Sequence, residues 1–131
     1  MGLWGAIVSH SGTFDGGRYT VLVVTRYSVD TADAAAVAKF QESAGAALGA
    51  LAQRPGWRSG RIGRAADDPT LWVLTTEWDS VGSYRRALSA YDVKVNAVPL
   101  LSLAIDEPTA FEVLVAEGLG ADGLAGPSGL A

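Results

Sequence analysis

Apolar positions change their period several times along the chain, and each change marks an element. From Tyr19 to Val29 the run Val21-Leu22-Val23-Val24 is rich in β-branched residues, which predicts a strand. Asp30 or Thr31 then offers an N-cap. Between Ala32 and Gln53, Val37, Phe40, Ala44, Ala47, Leu48 and Leu51 recur at helical spacing, with Lys39, Glu42 and Gln53 on the other side. Pro55-Gly56 ends that helix. Two further strands, Trp57 to Ala66 and Thr70 to Trp78, flank the turn Asp67-Asp68-Pro69 and read as a hairpin. Asp79 or Ser80 caps a second helix, Val81 to Ala90. In the segment Tyr91 to Leu103, Val95, Val98 and Leu101 predict helical turns that Pro99 interrupts. Thr109 to Val115 predicts a last strand.

The order β-α-β-β-α-β predicts an α+β, ferredoxin-like fold with both helices on one face of a four-stranded antiparallel sheet. A sheet with one wet face alternates apolar and polar residues. Here Val21 and Val23 oppose Leu22 and Val24, Leu71 and Val73 oppose Trp72 and Leu74, and Phe111 and Val113 flank Leu114. Both faces are apolar, yet the helices cover only one. The economical cover for the other is a second copy of the chain, giving a homodimer whose sheets enclose a barrel-like core.

The flanks read differently. Residues 1–18 hold five glycines and read as a flexible leader, residues 19–115 as the folded domain, and residues 116–131 as a Gly/Ala-rich tail. The 131 residues carry a formal net charge of −4 with no basic stripe, which argues against a nucleic-acid partner. No apolar run approaches the roughly 18 residues of a membrane span, and the N-terminus lacks the charge pattern of a signal peptide, so a cytoplasmic location is expected. There is no cysteine, and the single histidine, His10, lies in the leader. Thiolate chemistry and a multi-histidine metal site within one chain are therefore excluded. Any catalysis falls to carboxylate, arginine, tyrosine, tryptophan and asparagine side chains, or to the substrate.

The element order, the PGW turn, the RAADDP turn, the passage LWVLTTEWDS and the helix YRRALSA together resemble the antibiotic biosynthesis monooxygenase (ABM) family over residues 19–115. The resemblance implies a dimeric α+β barrel. It also implies an enzyme that oxidises an aromatic, polyketide-like phenol or dihydroquinone with molecular oxygen, without metal or cofactor, because the substrate supplies the electrons. Family members of this type surround the pocket with an asparagine, a tryptophan, tyrosines and an arginine. This chain offers Trp72, Trp78, Tyr84, Arg85 or Arg86, and Asn96. Its strands contain no asparagine, and Asn96 follows the second helix. The haem-degrading branch of the superfamily needs a histidine within residues 81–103, where there is none.

On this reading Asn96, Tyr84 and Trp72 are the catalytic candidates, and Trp78, Arg64 and Arg86 the substrate-binding ones. Each also has a structural reading. Trp72 and Trp78, an even number apart, share a strand face and either stack on a planar ligand or fill the core. Arg61 and Arg64 lie on opposite faces of their strand, so that one of them holds a phenolate or carboxylate, or they stand in solvent or pair with Asp67 or Asp68. Tyr84 offers its hydroxyl to substrate or packs on the sheet. Asn96 donates to substrate or caps a helical turn. Arg26, Glu77 and Glu112 pair across strands or line the cavity. The alternative function is a non-catalytic dimeric barrel that binds a small apolar molecule or has a structural role.

Overall fold

The computed structural model describes residues 19–118. The leader, including His10, and the tail beyond Gly118 lie outside the described residues. Eight elements follow one another: β1 (Val21–Ser28), α1 (Ala34–Ala52), β2 (Trp57–Arg64), β3 (Leu71–Trp78), α2 (Val81–Ala87), α3 (Tyr91–Asn96), α4 (Val98–Leu101) and β4 (Ala110–Glu112). The strands form one antiparallel sheet in the order β2-β3-β1-β4, the ferredoxin-like arrangement.

Strand alternation decides what each face holds. On β1, Val21, Val23, Thr25 and Tyr27 are buried, and on β3 so are Trp72, Leu74, Thr76 and Trp78. These residues share the face that the helices cover. Small residues of α1 (Ala44, Ala47 and Ala50) let the helix approach those large sheet side chains. Leu51, Val93, Ala97 and Leu100 complete the core. The other face carries Leu22, Val24, Leu71, Val73 and Phe111, and among the described residues no element covers it. Leu22, 36% exposed, stands directly across from Phe111, 45% exposed.

Several boundaries differ from the sequence expectation. The N-cap of α1 is Asp33, whose carboxylate accepts from the Ala35 and Ala36 amides at 3.0 and 3.3 Å. Asp30 instead turns the chain just before it, accepting from the Ala32 amide at 3.1 Å. Ser80 caps α2 through the Ser83 amide, and α2 stops at Ala87 rather than Ala90. The predicted interruption at Pro99 is the junction of α3 and α4, where proline occupies the first turn of α4. The last strand is shorter than Thr109 to Val115. Still, Val24 donates to the Thr109 carbonyl, Ile105 to that of Arg26 and Val113 to that of Thr20, each at 2.8 Å. The outer edge of β1 is thus paired well beyond β4 proper.

Geometry requires glycine at positions 56 and 60. Gly56 turns the chain from α1 into β2 with φ +92°, and its carbonyl accepts from the Asp79 amide at 2.8 Å. At Gly60 an added Cβ would lie 2.4 Å from the Trp57 ring and 2.7 Å from a Leu48 methyl. The bare backbone there leaves room for the Trp57 ring beside Leu48 of α1, following the β-bulge between Trp57 and Ser59.

Candidate functional site

The covered face of the sheet holds two aromatic groups joined by a polar strip. Trp78, at 0% exposure, meets Trp57 edge-on at 5.5 Å and Tyr84 of α2 at 5.6 Å between ring centroids. Its indole N–H donates to the Thr76 hydroxyl at 2.9 Å. Tyr27 donates to the Thr25 hydroxyl at 2.9 Å, and Thr25 in turn donates to the Leu74 carbonyl at 3.3 Å. Tyr27 also packs on Phe40 at 5.2 Å, and Phe40 on Trp72 at 5.3 Å. The side chains of Tyr27 and Trp78 therefore lean toward each other along the sheet, each bonding a threonine nearer its middle.

Four hydroxyls, those of Thr25, Tyr27, Thr76 and Tyr84, stand in this otherwise apolar layer. Thr25 and Thr76 are buried to 4% and 3% exposure, which is costly for polar groups with unmet hydrogen bonds. No described residue accepts the Thr76 proton. Burial pushes the Tyr84 phenol above its ordinary range, and the neighbouring Tyr27 hydroxyl adds to the shift. Burial likewise raises Tyr27, partly offset by its bond to Thr25. Both phenols thus stay protonated through neutral pH, where they act as hydrogen-bond donors rather than bases.

The pKa shifts carry a stability consequence. A group whose folded pKa lies above its unfolded value stabilises the fold below the unfolded pKa, about 10 for tyrosine, and that contribution is lost as pH rises through the folded value. Stability is accordingly expected to fall above about pH 10 more steeply in the wild type than in a Tyr27→Phe/Tyr84→Phe variant. Denaturant midpoints measured at pH 8 and at pH 10.5 check this. An equal fall in both proteins would show that the two phenols are not shielded from water.

The candidate residues separate into four places. Trp78 and Tyr84 are in contact. Trp72 shares the face of Trp78 but lies six residues along the strand, about 20 Å away. It is buried, donates to the Pro69 carbonyl at 2.9 Å and carries the Arg64 guanidinium 5.6 Å above its ring. Asp68, one suggested partner for Arg64, is occupied by the Thr70 amide and hydroxyl at 3.0 and 2.6 Å. Asn96 is exposed on α3 and donates to the Asp92 carbonyl at 3.0 Å, which closes a helical turn. It lines an outer groove between α1 and α3–α4 with Lys39, Glu42 and Leu103, away from the aromatic layer. Arg86 is also exposed and donates to the Ser83 hydroxyl at 3.3 Å. Of the remaining strand charges, Arg26 pairs with Glu107 rather than across strands.

Beside Trp78 lies a cleft of about 590 Å³ between α2 and the β1–β4 edge. Val21 forms part of it and is the direct register partner of both Trp78 and Glu112. Val81 and Arg85, one helical turn apart, supply the α2 wall. Arg85, rather than Arg86, is thus the arginine that faces a cavity. Sequence reasoning passed over Thr25, Tyr27 and Thr76. Their even spacing from Val21 and Trp78 was the available signal, since it puts them on the same face. Among the described residues no three His, Asp or Glu side chains gather as a metal site would require, and no helix is long and apolar enough to cross a membrane.

Comparison with solved structures returns the same fold. The chain is similar to SnoaB, a cofactor-independent oxygenase from Streptomyces nogalater, with 24% identity and a TM-score of 0.60 over 72% of this chain and 93% of that one. It is similar to a conserved protein from Methanosarcina mazei Go1 at 18% identity and TM-score 0.58, covering 72% and 93%. Rv0793 from Mycobacterium tuberculosis matches at 15% identity and TM-score 0.56, covering 77% and 99%. The search of curated proteins gave no match. The family model for antibiotic biosynthesis monooxygenase matches residues 20–95. That span is more than half of the chain and runs from β1 into α3, and the protein belongs to the antibiotic biosynthesis monooxygenase family.

Proposed function

We propose that the protein is a cofactor-independent monooxygenase that oxidises an aromatic, polyketide-like phenol. The observation that carries this reading is the Trp78–Tyr84 contact beside the Thr76 and Tyr27 hydroxyls. It is a dry aromatic wall with protonated donors, in a chain of this family. The Tyr84 side of this layer meets a planar ring system, and the Tyr84 hydroxyl favours the substrate's phenolate and excess charge building on oxygen. The reaction balances without a cofactor. A ring methylene reacts with O₂. One oxygen atom becomes the new carbonyl and the other leaves as water with both methylene hydrogens. The substrate supplies all four electrons. Tyr84 acts as a donor to substrate oxygen, and Trp78, wholly buried, braces Tyr84 from behind. Trp72 with Arg64 supports the far end of the layer. The working unit in this proposal is a homodimer, a second copy covering the apolar face of Leu22, Val73 and Phe111.

The test is oxygen uptake and quinone formation on an anthrone panel, with protein whose association state is measured by sedimentation. Turnover by a dimer is expected, with Tyr84→Phe slowing it about 10²-fold as a lost charge-stabilising donor does. Asn96→Ala is expected to turn over like the wild type. No turnover above buffer across the panel would leave the alternative, a ligand-binding barrel, in its place. A monomer would overturn the covered-face argument.

A further inference from the structure

The cleft between α2 and β4 has a composition the aromatic layer lacks. Its apolar part is Val21, Val81, Ala110, Phe111 and Leu114, Tyr19 adds a phenol ring, and it carries one cation, Arg85, and one anion, Glu112. The two come from different elements, α2 and β4, and are not within ion-pair distance of each other. No described carboxylate pairs with Arg85. Arg86, its neighbour in sequence, turns instead to Ser83 within its own helix. An arginine guanidinium that lines a cleft and pairs with no described carboxylate matches a planar oxyanion, which it can bind in a bidentate manner. Glu112 disfavours a second anion and accepts from a hydroxyl. The volume, about 590 Å³, falls in the range that holds a small organic ligand.

We propose that this cleft binds a planar aromatic carboxylate, with its carboxylate on Arg85 and a phenolic hydroxyl on Glu112. The proposal deepens the function proposed above and rests on it for the aromatic character of the ligand. Val21 is the link between the two places: it forms part of the cleft and pairs in register with Trp78. A ligand held there lies against Val21, and Arg85 selects among aromatic compounds by charge. Arg85 is a specificity-determining residue in this scheme and takes no part in oxygen chemistry.

Calorimetric titration tests this without turnover. The probes are anthraquinone-2-carboxylate and its carboxamide, against the full chain and its Arg85→Gln, Arg86→Gln and Val81→Trp variants. The expected result is that Arg85→Gln weakens carboxylate binding about tenfold and leaves the carboxamide unchanged, as loss of one partly exposed charge contact does. Arg86→Gln should change neither. Val81→Trp, which fills the cleft, should weaken both. Raising salt should narrow the difference between the two probes, because an exposed charge is screened. Carboxylate binding indifferent to Arg85, or equally weakened by Arg86→Gln, would overturn the proposal, as would absence of binding. Arg85-dependent binding without turnover on any substrate would retain the cleft and remove the monooxygenase. Turnover with no Arg85 dependence of carboxylate binding would do the reverse.

Discussion

Trp78→Ala is expected to destabilise the protein by about 3–5 kcal/mol, the usual loss for truncating a fully enclosed aromatic. Three terms add at this site. The ring is wholly buried and leaves a cavity between β3 and α2. The edge contact with Trp57 and the contact with Tyr84 both disappear. The Thr76 hydroxyl also loses the indole N–H that bonds it. Trp78→Phe separates these terms. It keeps most of the ring volume and removes only the polar bond and part of the fill, so a loss of about 1–2 kcal/mol is expected. Urea unfolding of both variants checks the pair. A loss below about 1 kcal/mol for the alanine variant would mean that the layer collapses around the gap, and that it is not the rigid support proposed for Tyr84.

Gly56→Ala is expected to cost about 2–4 kcal/mol, far more than a typical glycine replacement at a turn. The positive φ accounts for about 1–2 kcal/mol. The rest is steric: the new methyl would lie 2.4 Å from the Ser83 Cβ and Oγ and 2.7 Å from an Asp79 carboxylate oxygen. Ser83 is buried in α2 and cannot swing away, so the methyl pushes on the helix that carries Tyr84 and Arg85. The variant should therefore lose ligand binding as well as stability. Gly49→Ala is the control. It lies in α1 with nothing within 4 Å of an added Cβ, and should stabilise by about 0.5–1 kcal/mol through helix propensity. Thermal melts of both variants test the contrast, and two shifts of the same sign would refute it.

The inward face of Trp78 and the crowding at Gly56 are set over different ranges of the chain. That Trp78 faces inward was legible from parity: residues 72, 74, 76 and 78 share one strand face, and the opposing apolar set Leu71, Val73, Leu22 and Phe111 shows that the other face also needs cover. The clash at Gly56 was not legible. A Pro-Gly pair announces a turn, but the approach of Ser83 from 27 residues later depends on how α2 docks.

The same division runs through the candidate site. Trp72 and Trp78 looked like one wall because parity gives the face and not the distance along it. The strand rise separates them, and Tyr84 comes to only one of them. Asn96 was attractive as the chain's single asparagine, yet its helix turns it outward to the Asp92 carbonyl. Arg85 and Arg86 were indistinguishable in the sequence. The roughly 100° step between adjacent helix positions sends one to a cleft and the other to Ser83. Asp33 displaced Asp30 and Thr31 as the cap because several consecutive residues could each have served, and only the backbone path chose among them.

Local periodicity, β-branching and turn chemistry act between near neighbours, and the sequence by itself determined what they control: the order of elements, the sheet's two apolar faces and the absence of thiolate chemistry. Convergence of side chains from distant segments is set by docking angles and strand register, which no short window contains. Only the tertiary structure could therefore bring Tyr84 to Trp78, lean Tyr27 toward the middle of the covered face and set Arg85 across a cleft from Glu112.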